Sequence, residues 1–171
     1  TQNATPANCV WNIYKSVDGG YTWKVTGWNS DVGSTIPTQD IVAIKCSPDW
    51  DNDNTVVVAT NGSVSYSDDA GKTFESISLA GVTLGTGITC MDITLDEDGD
   101  LIYGIGTGGG SGEIYLLTGL GGWVAQEIED PDGLGGMSAY TFTRGVIAMA
   151  FSPNFGEDDT VFAIVGGQSS I

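Results

Sequence analysis

The sequence predicts an all-β fold of short antiparallel strands grouped in fours, and three observations carry that prediction. The 171 residues include 26 Gly, about twice the usual share, which points to many turns between short elements. An apolar strand, an acidic turn and a second apolar strand recur at residues 41–60, at 88–107 and from Val146 onward, a period that marks a repeat architecture. The longest apolar runs, such as Val56 to Ala59 and Val161 to Val165, have strand length and fall far short of a membrane span. At 17.7 kDa the chain has room for one domain, or one slice of a larger one.

Taken in order, the segment YKSVDGGYTWK from Tyr14 to Lys24 reads as a hairpin with no hairpin ahead of it, a half unit at 8–28. Residues 41–60, IVAIKCSPDWDNDNTVVVAT, form a first hairpin. Residues 61–78, NGSVSYSDDAGKTFESIS, form a second, because Val64, Tyr66, Phe74 and Ile77 suit half-buried strands around a Gly-containing turn. Together they make a full unit at 41–79. Residues 88–107, ITCMDITLDEDGDLIYGIGT, align with the first hairpin without a gap. Residues 113–128 then keep Tyr115 where Tyr66 stands and Trp123 where Phe74 stands, giving a second full unit at 88–129. A final half unit at 146–166 repeats Ser47-Pro48 as Ser152-Pro153. About twelve strands in units of four make a β-propeller pattern across residues 1–171, with about three blades' worth of strands where closed rings have at least four. The expectation is an incomplete ring or a fragment of a larger propeller, its open edges covered by further blades or a second copy.

Ser16, Asp18, Gly20, Thr22 and Trp23 fit the pattern S-x-D-x-G-x-T-W, and Ser67, Asp69, Gly71, Thr73 and Phe74 fit it with Phe for Trp. In phase with the repeat, these two matches make the chain resemble the Asp-box, or bacterial neuraminidase repeat, β-propellers. That sialidase-like group includes sialidases, xyloglucanases, sortilin-type receptors and photosystem assembly factors. The Ser-Pro and acidic-turn repeats are similar to those of repeat-bearing prokaryotic surface proteins. The resemblance implies a structural box between the third and fourth strands of a blade, on the face away from the ligand site. There the carboxylate accepts turn N–H groups, Gly supplies an unusual backbone conformation, and the aromatic packs beneath.

Charge and composition restrict the function. Twenty-two Asp and Glu against five Lys and Arg give a net charge of −17, which opposes binding to nucleic acid and to anionic lipid. The absence of His removes the Ser-His-Asp triad, the Cys-His dyad and His-ligated metals. Sialidases clamp their substrate with three arginines and this chain has Arg144 alone, which argues against sialidase activity. So many carboxylates make any glycosidase pair easy to draw and therefore uninformative. The Gly-rich run from Gly104 to Gly112 links two strands with no helix after it, so it is not a phosphate loop.

Three sets of residues remain as candidates. Loops 27–40, 107–113 and 129–144 form the expected ligand face, with Trp28, Asp31, Asp40, Glu113, Asp130, Asp132, Tyr140 and Arg144 as sugar-contacting groups. Asp49, Asp51 and Asp53 align with Asp96, Asp98 and Asp100 as D-x-D-x-D, an alternating-oxygen spacing used by Ca²⁺ loops; the alternative is a solvated turn. The third copy offers only Asn154, Asp158 and Asp159. Asn3 and Asn61 begin N-x-S/T sequons. Cys9, Cys46 and Cys90 match no metal or redox spacing and are expected as buried thiols.

Starting at Thr1 without a Met, the chain is expected to be either a mature product after signal removal or a fragment of a longer chain. The function expected is a non-catalytic extracellular or cell-surface propeller, acting as a structural or protein-interaction scaffold through self-association or a larger assembly. The competing class is a secreted carbohydrate-active protein, either a glycan-binding module or a carboxylate-dependent glycosidase. A third is an assembly factor that binds another protein through a propeller face.

Overall fold

The computed structural model describes residues 12–28, 40–109, 112–119, 121–126 and 145–166. Among them are twelve strands and two single-turn helices. β1 (Tyr14–Lys15) and β2 (Lys24–Val25) form a two-stranded sheet. β3 (Ile41–Cys46), β4 (Val56–Thr60), β5 (Val64–Ser67) and β6 (Glu75–Ile77) form a four-stranded antiparallel meander, with α1 (Trp50–Asp53) between β3 and β4. β7 (Ile88–Leu95), β8 (Leu101–Thr107), β9 (Ile114–Thr118) and β10 (Val124–Ala125) form a second such meander. β11 (Gly145–Phe151) and β12 (Val161–Gly166) pair around α2 (Phe155–Asp158). The described chain is therefore all-β, built of antiparallel sheets of two and four strands.

The repeat is realised down to an irregularity. In all three long hairpins the register slips at the same point, between Ile41 and Ala43, Ile88 and Cys90, and Val146 and Ala148, so each first strand carries one bulged residue. The far ends of the first and third hairpins also correspond. Ser47 N–H donates to Thr55 O at 2.9 Å and Ser152 N–H to Thr160 O at 2.8 Å. Each helical turn stops at a left-handed residue, Asn54 (φ 50°) or Asp159 (φ 49°), residue types that tolerate this region because their short side chains bond locally. The second hairpin replaces the helical turn with a tight one, in which Asp96 N–H donates to Asp100 O at 3.0 Å and Gly99 takes φ 84°.

Packing is carried by the first strands. β7 contacts both β3 and β11, so the second sheet is covered on both faces. Val57, Ala59 and Val64 of the first sheet pack against Met91, Ile93, Ile105, Tyr115, Leu117 and Trp123 of the second. On its other face Ile102 and Ile114 meet Val146, Met149 and Phe151 of the third. Two glycines of the Gly-rich run make that second contact close. A Cβ on Gly104 would stand 2.4 Å from Met149 Cε, and one on Gly106 would stand 2.6 Å from Val146 Cγ1. These glycines serve sheet packing, since only a residue without a side chain lets β11 approach β8 this closely.

Candidate functional site

The two S-x-D-x-G-x-T-[WF] segments fold into matching turns, one joining β1 to β2 and the other joining β5 to β6, the third and fourth strands of their sheet. In the first, Ser16 Oγ donates to Asp18 Oδ1 (2.7 Å) and accepts from Gly20 N–H (2.8 Å). Asp18 Oδ1 also accepts Thr22 N–H (2.9 Å), while its Oδ2 accepts the Thr22 hydroxyl. In the second, Ser67 Oγ bridges Asp69 Oδ1 (2.8 Å) and Gly71 N–H (2.9 Å), and Asp69 accepts from Lys72 N–H, Thr73 N–H and Thr73 Oγ1. Gly20 and Gly71 take φ of 94° and 85°, which only glycine adopts at little cost.

Such donors hold a carboxyl ionised. The Thr22 hydroxyl, then its N–H, then the Ser16 hydroxyl lower Asp18 to about 2. The Thr73 N–H, then the hydroxyls of Ser67 and Thr73, hold Asp69 well below the usual carboxylate range. Both carboxylates are thus fixed as anions and occupied by their own turns. The aromatics differ from the expected packing: Phe74 is half-buried, whereas Trp23 remains 61% exposed and donates Nε1–H to Gly20 O at 3.0 Å.

The first acidic turn carries two of its three carboxylates on a helix and not on an extended strand. An i, i+2 spacing aligns side chains on an extended chain but splays them on a helix, and Asp51 and Asp53 lie on α1. Asp49 accepts from Asn52 Nδ2 (2.6 Å) and Asp53 Oδ1 from Thr55 N–H (2.8 Å). In the tight turn Asp96 Oδ1 takes the N–H groups of Asp98 and Asp100 at 3.0 and 2.8 Å. In the third copy Asp158 bonds Ser152 Oγ and Thr160 N–H, and these donors, the hydroxyl first, lower its pKa. Among the described residues no three Asp, Glu or Cys side chains gather as a metal cage.

Of the sugar-contacting candidates, Asp31, Asp130, Asp132, Tyr140 and Arg144 lie outside the described residues, as does the sequon at Asn3. Trp28 follows Gly27, whose N–H donates to Gly71 O at 2.8 Å, and so stands by the β5–β6 turn. Glu113 lies at the other end of its sheet, between β8 and β9, where its carboxylate accepts the Tyr115 hydroxyl. Asp40 O accepts Asn61 N–H at 3.2 Å, at the β4–β5 end of the first sheet. Trp28 and Glu113 are therefore separated by the length of the sheets. Asn61 is half-buried and its Oδ1 is enclosed without a partner among the described residues.

The thiols split. Cys90 is partly covered and burial pushes it up, but Cys46 is exposed, because β3 turns that side chain toward the cleft beside β1.

That cleft was not legible in the sequence. The β1–β2 hairpin leans on the first sheet and leaves two adjoining hollows of about 510 Å³ each. One is aromatic and apolar, with Trp23, Trp50 and Phe74 around Ile13 and Val56. The other runs between the two matching turns and carries Lys15, Lys24 and Lys72. Lys15 Nζ donates to Ala70 O at 3.1 Å and stands 5.4 Å over the Trp50 ring, a cation–π contact. No family model, curated protein or solved structure matches this chain.

Proposed function

We propose that the chain is a non-catalytic propeller-type scaffold of the Asp-box kind, working outside the cell or at its surface as part of a larger assembly. The observation that carries the reading is the placement of β3, β7 and β11. The first strands of three successive units lie in sequence with β7 between the other two, as inner strands of adjacent blades do. The turn carboxylates support a structural role, since Asp18, Asp69 and Asp96 are engaged by N–H groups of their own turns. The outer β11–β12 sheet presents Ile147, Phe162 and Ile164, each more than half exposed, a face suited to burial against a further sheet.

The test is the particle mass and location of the native protein in its source cells. A surface or secreted particle heavier than one 17.7 kDa chain, shed as smaller species by Phe162→Asp, is the expected result. A free intracellular monomer overturns the reading.

The aromatic hollow favours a second reading as a glycan-binding module, since exposed Trp23 beside Trp50 offers a stacking surface. Retention on immobilised neutral glycans, lost in Trp23→Ala with the fold intact, would decide for it.

A further inference from the structure

We infer that the hollow between the two matching turns is a binding site for a compact polyanionic ligand, one presenting two or more oxyanion groups, held by Lys15, Lys24 and Lys72.

The first argument is the distribution of charge. The chain has five Lys and Arg against 22 Asp and Glu, yet three of the five line a single hollow. In so acidic a chain a lysine is expected to lie beside a carboxylate. Among the described residues, however, the one ion pair is Lys45 with Asp92, and neither Lys24 nor Lys72 has an acidic partner.

The second argument is a local cost. Lys15 and Lys24 are directly opposite each other in the β1–β2 ladder, and like charges in that position are destabilising. The ladder is two residues long, so little else offsets the repulsion. An anion between them would convert it into attraction.

The third argument is why the neighbouring acids do not pair with these lysines. Asp18 and Asp69 belong to the turns that border the hollow, but their oxygens already accept the Thr22 and Thr73 donors. Lys15 is in turn held in place by Ala70 O and the Trp50 ring. One cation is thus preorganised and the other two, without an acidic partner among the described residues, can close on a ligand, which suits lysine as a mobile point charge. The volume of about 510 Å³ lies in the range of small-molecule sites. The strong negative charge of the rest of the molecule opposes long polyanions, so the ligand class is small.

The probe is citrate, titrated at low ionic strength into the wild-type chain and followed by amide shifts in ¹H–¹⁵N spectra. Saturable shifts at Thr22, Gly27 and Lys72 are expected. The variant Lys24→Gln/Lys72→Gln/Asp51→Asn/Asp98→Asn keeps the net charge and is expected to bind roughly tenfold more weakly. Lys24→Arg/Lys72→Arg keeps the cations and is expected to bind within about threefold of wild type. Unchanged affinity in the charge-balanced variant, shifts centred elsewhere, equal loss in the arginine variant, or no saturable binding at all would each overturn the site.

Discussion

Asp92 on β7 accepts the backbone N–H of Phe151 on β11 at 2.9 Å. Its other oxygen lies 3.0 Å from Lys45 Nζ on β3, so one side chain touches the first strands of all three long hairpins. The N–H it receives is at the end of β11, beside the edge-on Phe151 and Phe155 rings at 4.9 Å. Asp92→Ala leaves that N–H without its acceptor and Lys45 without its anion, and is expected to cost about 1–3 kcal/mol. Asp92→Asn, which retains an acceptor oxygen, should cost less. Lys45→Ala should cost less again, because that side chain is 40% exposed and exposed pairs contribute little. Urea denaturation of the three variants checks the order.

Gly104→Val tests the close approach of the third sheet. The new side chain would start within 2.4 Å of Met149 and 2.8 Å of Phe151, and overpacking of this kind is expected to cost roughly 1–3 kcal/mol or more. Gly122→Ala, where a Cβ meets nothing within 4 Å, should stay within about 0.5 kcal/mol. A thermal melt of the pair distinguishes a packing requirement from a general intolerance of side chains in Gly-rich stretches.

The turn carboxylates set an acid limit. Asp18 sits at about 2 in the folded chain, and Asp69 is also lowered, against about 3.9 when unfolded. A depressed folded pKa means that the unfolded chain binds the proton first. The stabilisation is therefore complete above about pH 4 and disappears as pH falls through about 2. Relief of self-repulsion among the other acids works in the opposite sense down to the isoelectric region near 4.1. Stability is expected to hold or rise from neutrality to about pH 4 and to fall steeply below it. Asp69→Asn should flatten that fall, as read by circular dichroism across the same range.

Calcium provides a further check on the acidic turns. With Asp49, Asp53 and Asp96 accepting from their own turns, EDTA is expected to leave the melting temperature unchanged to within about 1 °C. Millimolar Ca²⁺ should raise it by no more than non-specific screening does. A saturable rise of several degrees, abolished by Asp98→Asn, would establish a metal site there.

The sequence by itself determined what depends on near neighbours. The hairpin repeat and the strand lengths were legible in the recurring apolar runs, and the two matching turns because their hydrogen bonds span four residues or fewer, as between Ser67 and Gly71 or Asp69 and Thr73. Such geometry is nearly a property of the segment alone. Tertiary structure decided what depends on distant partners. Asp92 and Phe151 are 59 residues apart, and Lys15 meets Ala70 across 55. Gly104 reads only as the start of a Gly-rich run until β11 is laid against it. Even D-x-D-x-D changed meaning, because carboxylate direction follows backbone form, and the same spacing lies on a helical turn in one copy and a tight turn in the next. Contacts between sheets are formed by whichever faces the chain brings together, and no local spacing encodes that choice.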